Sequence, residues 1–436
     1  MKNDLTQARK LIKECLETQN PYLEIGNCGI TDLDELPELF ECTHLETLIV
    51  SNRWWNNKGK WESSKNSGEP NLLSSIPTAM DQLVNLKTLV LAGDFNDKWN
   101  IEIIKNISRL SNLSHLDLSF NQIIEINNLH GLKSLNSLDL SINNIAEIKN
   151  LNWKENLNRL NLAGNQINYI NNLDKLTKLK FLDLRENKIT VIRNLDKLTQ
   201  LNELHLGLNL ITEVTNLDEL TNLSTISLSG NKITAIKNLD RLIRLKGLDL
   251  HGNRITEIKN LDALTQLRTI NLAINQITEI KNLDNLTRIE DLSLEDNQIT
   301  EIKNLNTLTK LKSLNLSRNQ IVETSNLNGL SQLKTLNLYE NQITEIKKLS
   351  TLAKLNILNL GNNQIREMPL ELLNRNHFVF FYGNNPIQTP PIEIVRRGKQ
   401  AMLDWYAANK KKLSEIKVIL IGDPGAGKTS LLKKLK

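Results

Sequence analysis

Apolar positions along this chain recur in one phrase, L-x-x-L-x-L-x-x-N-x-I-x-x-I-x-x-L-x-x-L-x-x. The copy at Leu267, Ile270, Leu272, Asn275, Ile277 and Ile280 is typical. The asparagine returns every 22 residues, at Asn121, Asn143, Asn165, Asn187, Asn209, Asn231, Asn253, Asn275, Asn297, Asn319, Asn341, Asn363 and Asn385. A fixed period of this length marks a stacked architecture. Within each copy the L-x-x-L-x-L core predicts a short extended segment, leucines on one face and alternate residues on the other. One copy cannot bury its own leucines, but stacked copies pair their strands into a parallel sheet over one shared core. The asparagine is expected to turn inward and bond backbone groups of neighbouring turns, which would cost about 1–3 kcal/mol each if buried unpaired. The isoleucine two places later, from Ile123 to Ile387, is expected to plug the core.

Strand and turn use about half of each copy, which leaves too little chain for a full α-helix on the outer side. The spacing predicts 3₁₀ or irregular turns at N-L-D-x-L-T, as at Asn238-Leu239-Asp240. The fold class is therefore an α/β repeat solenoid, a curved parallel sheet with a 3₁₀ or irregular convex side. The pattern resembles the leucine-rich repeat family, in the short-repeat class of bacterial internalin-type proteins and a eukaryotic phosphatase regulator. The resemblance covers roughly residues 21–388.

Open ends of a solenoid need covers. Asp4 to Thr18 reads as an amphipathic helix with Leu5, Ala8, Leu11, Ile12, Cys15 and Leu16 on one face, stopped by Pro21. Residues 1–20 are thus an N-terminal cap. A degenerate first repeat follows, with Cys28 where the asparagine belongs, read as a small buried thiol. At the far end Phe380 and Tyr382 fall on leucine positions and are expected to seal the last turn, with Phe378 and Phe381 beside them. Residues 389–413 form a proline-punctuated exit and a linker helix over Ile392 to Lys412, with Val395, Met402, Leu403 and Tyr406 apolar and Gly398 as a weak point.

Charge changes this picture little. The net charge is +5, but Glu and Lys occupy fixed columns, as in Glu257/Lys259, Glu279/Lys281 and Glu301/Lys303. Stacking sets a glutamate column beside a lysine column, so the excess reads as a solvated charge ladder, not a nucleic-acid surface. Three cysteines, Cys15, Cys28 and Cys42, fit neither a metal site nor a full set of disulfides and point to a reducing compartment. With a charged Met1–Lys10 segment and no run of membrane-spanning length, the expectation is a cytoplasmic protein.

Two stretches break the register. Asn52 to Asn71 carries Trp54, Trp55 and Trp61. A second, five-residue insertion near Trp99 lies within 94–111, with Asp94 read at the asparagine position. Such insertions become loops where partners dock, or they pack over the N-terminal edge. On the strands, the residues between leucines face the concave surface and are mostly small or polar. A denser group stands mid-array: Arg159, Phe181 and Glu203 in one column, Asp183 and His205 in the next, Arg185 and His251 in a third. Aromatic and arginine anchors of this kind mark a candidate surface for a protein or peptide. The two histidines are about 10 Å apart by strand spacing, too far to share a metal.

The last stretch carries phosphate chemistry. A buried-strand pattern, Ile416 to Ile421, is followed by Gly422, Asp423, Pro424, Gly425, Ala426, Gly427, Lys428, Thr429 and Ser430, then by the helical Leu431 to Leu435. This is G-x-x-x-x-G-K-[ST] between strand and helix, the context of a P-loop. Its backbone N–H groups would cradle phosphate, Lys428 would reach the β and γ phosphates, and the Thr429 hydroxyl would ligate Mg²⁺. Repeats, a proline-punctuated helix and then a P-loop resemble the Roco family, in which repeats precede a Ras-like GTPase domain called Roc and a dimerising domain. That resemblance implies GTP or GDP with Mg²⁺ as cofactors, a dimeric parent and regulation by the repeats. Residues 414–436 would then be the start of a Roc-like domain. Such a domain needs roughly 150 residues, so the expectation is that the chain to Lys436 lacks the base pocket and binds nucleotide poorly. The other readings are a stand-alone scaffold with an inert P-loop remnant, a surface adhesin and a signal-transducing P-loop ATPase.

Overall fold

The computed structural model describes residues 5–55, 60–96, 98–151, 155–347, 349–373 and 379–413. The 414–436 stretch, and with it Gly422 to Ser430, lies outside the described residues, as does Phe378. Sixteen three-residue strands pair in chain order into one sheet. The first are β1 (Tyr22–Glu24) and β2 (Thr47–Ile49), and two further strands, β3 (Arg53–Trp55) and β4 (Trp61–Ser63), form a separate antiparallel hairpin. The sheet continues through β5 (Thr88–Val90), β6 (His115–Asp117), β7 (Ser137–Asp139), β8 (Arg159–Asn161), β9 (Phe181–Asp183) and β10 (Glu203–His205). It runs on from β11 (Thr225–Ser227) to β18 (Val379–Phe381). Every pairing is parallel and in register, as in Leu182↔Leu204↔Ile226. One continuous apolar core extends from Leu5 to Met402.

Asn275 shows how the turns are locked. Its Nδ2 donates to the carbonyls of Leu250, Leu272 and Ala273 at 3.0, 3.1 and 3.1 Å, and its Oδ1 accepts the Ile255 N–H at 2.9 Å. The same set recurs from Asn143 to Asn363. A left-handed residue precedes each interior asparagine, including the β-branched Ile142 (φ 55°) and Ile274 (φ 51°).

The convex side carries a second asparagine ladder. Asn238 and Asn260 are left-handed, at φ 57° each, and donate to the Val214 and Ile236 carbonyls of the preceding turn at 2.7 and 2.8 Å. Asparagine tolerates this conformation, and the chain then makes two consecutive tight turns, Leu242 N–H to Leu239 O and Leu245 N–H to Leu242 O. Where the asparagine is replaced, by Glu35, Thr78, Lys348 or Leu370, a helical turn stands instead. These are Leu33–Glu35 with Pro37–Glu41, Thr78–Gln82, Leu349–Thr351 and Leu370–Leu373.

The ends are covered by helices. Ala8, Ile12 and Cys15 of α1 (Thr6–Thr18) are buried against the first turn. At the other end α2 (Leu370–Leu373), α3 (Ile392–Arg396) and α4 (Lys399–Leu413) bury Leu372, Leu373, Val395 and Met402, with Phe380 and Tyr382 packed beside them. The helix expected over 392–412 is two helices, because Gly398 takes φ 93°, a conformation that ends a helix. The Tyr406 hydroxyl donates to the Met368 carbonyl, which ties α4 to the last repeat.

Both insertions return to the register, though not where their sequences suggest. Asn71, at the far end of the first, does the work of a ladder asparagine. Its Oδ1 accepts the N–H groups of Cys28 and Ile30 at 3.0 and 2.9 Å, and its Nδ2 donates to the Ile25 and Val50 carbonyls at 2.7 Å each. Asn52 clamps the base of the insertion by accepting from the Asn27 and Asn71 N–H groups. In the next repeat the asparagine position belongs to Trp99, not Asp94. The Trp99 N–H bonds the Phe120 carbonyl and the Asn100 N–H bonds the Leu73 carbonyl, as Asn253 and Arg254 bond Ile274 and Ile233. The five inserted residues precede the turn rather than follow it. The fully buried Trp99 ring carries no amide oxygen for its neighbours.

Candidate docking surface on the concave sheet

Strand alternation puts leucines inside and their neighbours on the concave face. The charge columns lie elsewhere, along the turns, where Lys281 bridges Glu257 at 2.8 Å and Lys303 bridges Glu279 at 3.0 Å. These carboxylates are held below, and the lysines above, their ordinary ranges by hydrogen bonding to each other. The exposed ladder thus neutralises itself.

The β3–β4 hairpin folds over the concave face at the N-terminal end. Trp54 is buried on Ile49, Val90 and Ala92, three residues of that face. Trp55 and Trp61 meet edge to face at 5.5 Å, and Trp61 continues to Phe95 at 5.9 Å. Phe95 meets Phe120 at 4.7 Å, so the two insertions join through aromatic rings. The tryptophans therefore pack over the edge and still present a half-exposed ring, Trp55, to the sheet.

Between this hairpin and strands β6 to β10 lies a cleft of about 780 Å³, walled by Trp55, His115, Asp117, Asp139, Arg159, Phe181 and Glu203. The register sets Arg159, Phe181 and Glu203 side by side. The Arg159 guanidinium stacks 3.5 Å from the Phe181 ring centre, a cation–π geometry. His205 lies 5.3 Å from Phe181, ring to ring, and its Nε2 is 3.6 Å from a Glu203 oxygen. Asp183 and Arg185 form an internal pair. The guanidinium contacts both carboxylate oxygens at 2.6–3.0 Å, and Asp183 is only 1% exposed. That hydrogen bond raises Arg185 above its ordinary range. His251 stands two strands beyond His205, and the described residues contain no group of three or more His, Cys, Asp or Glu side chains that could hold a metal.

The sequence reading missed His115, Asp117 and Asp139. Asp117 is 3% exposed. Burial, and then the Asp139 carboxylate, push its carboxyl up to about 7. Asp139 takes hydrogen bonds from Ser141 Oγ at 2.6 Å and Asn161 Nδ2 at 2.8 Å. Burial lowers the His115 imidazole. The signal was in the columns, since Asp117, Asp139 and Asp183 share one. Trp55 comes from outside the register and has no such signal.

With this geometry in view, the comparisons agree on the repeat. A leucine-rich repeat family model matches residues 240–348, and a model of paired leucine-rich repeats matches 177–219 and 331–372. No curated protein matches the sequence. Among solved structures, a leucine-rich repeat protein of Leptospira interrogans is similar at 26% identity, with 88% of this chain and 96% of that one covered and a TM-score of 0.75. An internalin of Listeria monocytogenes is similar at 28% identity over 76% of this chain and 92% of that one, with a TM-score of 0.62. The functional domain of the Listeria monocytogenes internalin InlJ shares the fold, at 21% identity over 84% and 75% and a TM-score of 0.64. The chain folds as a solenoid of leucine-rich repeats, and its repeats are similar to those of the internalin structures.

Proposed function

We propose that this solenoid is a protein-interaction scaffold, and that the roofed cleft is where a protein or peptide partner anchors. One observation carries the reading. The concave face is lined along most of its length by Ser, Thr, Asn and Asp, but Trp55, Arg159 and Phe181 gather at a single cleft. Binding energy at protein interfaces concentrates in aromatic and arginine side chains of this kind. The elongated concave surface of a repeat stack suits an extended partner. Phe181→Ala and Trp55→Ala should each weaken capture of a partner at least tenfold in a side-by-side binding assay, with the circular dichroism spectrum unchanged. Undiminished binding by both variants would refute the assignment.

The motif from Gly422 to Ser430 supports a second, compatible reading. In it the repeats are the regulatory region of a Roco-type GTPase whose complete protein binds GTP or GDP with Mg²⁺ and dimerises. In that reading residues 1–20 cap the stack, 389–413 link it to the nucleotide domain and 414–436 begin that domain. The alternative is a scaffold in which the phosphate loop is inert. Three free, buried cysteines support a reducing, cytoplasmic setting. Among the described residues no helix is long and apolar enough to cross a membrane.

A further inference from the structure

The docking reading leaves open what the cleft recognises, and its wall chemistry is specific. We propose that the cleft takes a cationic side chain, a lysine or arginine of the docked protein, between the Trp55 ring and the Asp117 and Asp139 carboxylates. The inference rests on the docking reading and adds the chemistry of the partner.

Three carboxylates, Asp117, Asp139 and Glu203, line the cleft beside one guanidinium, that of Arg159, which sits over Phe181 at 3.5 Å from the ring centre. The sheet itself shows what a carboxylate of this column does when a cation is within reach. Asp183, two strands beyond Asp139, accepts from both Nε and Nη2 of Arg185. Asp117 and Asp139 make no ion pair among the described residues, although Asp117 is almost wholly buried. A carboxylate buried without a counter-charge takes up a proton instead, and a cation brought by a partner would displace that proton and complete the pair. Trp55 supplies the other half of such a site. It is 42% exposed, lines the same cleft and is held in place by Trp61. An aromatic face opposite carboxylates favours a cation over an apolar group, and favours either over an anion. The protein already pairs guanidinium with ring twice here, Arg159 with Phe181 and Arg53 with Trp61.

The test uses four capped pentapeptides, glycine apart from a central arginine, lysine, norleucine or glutamate, and follows the Trp55 indole N–H resonance of the whole protein. The resonance is assigned from its absence in Trp55→Phe. Arginine and lysine peptides should shift it saturably, at least tenfold more tightly than norleucine, and the glutamate peptide should leave it in place. The double variant Asp117→Asn, Asp139→Asn should lose at least tenfold in affinity for the arginine peptide. Should it fail to fold, Trp55→Ala, at a half-exposed position, takes its place with calorimetry as the readout and the same expected loss. Equal binding of norleucine, preference for glutamate, or arginine binding undiminished in the variant would overturn the proposal. If partner capture depends on Phe181 while neither cationic peptide binds, the cation assignment falls and the docking reading stands. If capture is indifferent to both Phe181 and Trp55, the docking reading falls, whatever the peptides do.

Discussion

Replacing one ladder asparagine tests how load is shared through the stack. Asn275→Ala removes four hydrogen bonds, but the structure re-satisfies three of the four groups. The Leu250 carbonyl keeps the Asn253 amide at 3.0 Å, the Leu272 carbonyl keeps the Asn297 amide at 3.0 Å, and the Ala273 carbonyl keeps the Gly252 N–H at 2.9 Å. Only the Ile255 N–H, bound to Asn275 Oδ1 at 2.9 Å, is left buried and unpaired. The expected cost is therefore that of one orphaned amide, about 1–3 kcal/mol, not the sum of four lost bonds. Asn275→Asp keeps the acceptor for Ile255 but turns an oxygen toward three carbonyl oxygens. Burial beside them raises the aspartate's pKa in the folded state. Stability of that variant is then greatest below the unfolded carboxyl pKa of about 3.9 and falls as pH rises toward the folded value. Urea unfolding gives the global cost. Because a solenoid's stability is a sum over neighbouring repeats, amide exchange of Ile255 locates it. Wild-type stability with unchanged Ile255 exchange in Asn275→Ala would refute the role of the asparagine. A loss above about 5 kcal/mol would refute the redundancy of the ladder.

Asn71→Ala should cost about 1–3 kcal/mol more than Asn275→Ala, because two N–H groups, of Cys28 and Ile30, depend on the one Asn71 oxygen; urea midpoints of the two variants and exchange of the Cys28 and Ile30 amides check it. Asp117, raised to about 7 when folded, makes the wild type lose stability as pH rises from about 4 to about 7 and level off above, since the folded state holds the extra proton in that window. Asp117→Asn removes that slope, and melting curves of both proteins from pH 4 to 8 that run parallel would contradict it. On the Roco reading, Lys428→Ala in a chain that carries a complete nucleotide domain should abolish guanine-nucleotide binding measured by calorimetry with Mg²⁺, and Thr429→Ala should weaken chiefly its Mg²⁺-dependent part; binding of ATP but not GTP would remove that reading.

The sequence by itself determined the repeat and therefore the fold. Leucines at a strand's period of two and asparagines at an unbroken spacing of 22 have one economical solution, a stack whose strands pair in order. It also determined which side chains share a column, since in-register stacking turns sequence offsets into neighbours: Arg159, Phe181 and Glu203 lie where the spacing put them. The acidic column of Asp117 and Asp139 was open to the same reading, but short aspartates did not stand out among Ser and Asn. Whatever left the register was not legible. Which residue of an insertion re-enters the ladder depends on where the loop closes, so Asn71 and Trp99 could be identified only from their backbone partners. Ile142 and Ile274 carry no preference for a left-handed backbone, yet the stack imposes it on them, because neighbouring turns fix the path on both sides. The cleft belongs to the tertiary structure alone. Its floor comes from five consecutive repeats, but its roof comes from a hairpin that folds back over the sheet because Trp54 finds Ile49, Val90 and Ala92 there to bury against.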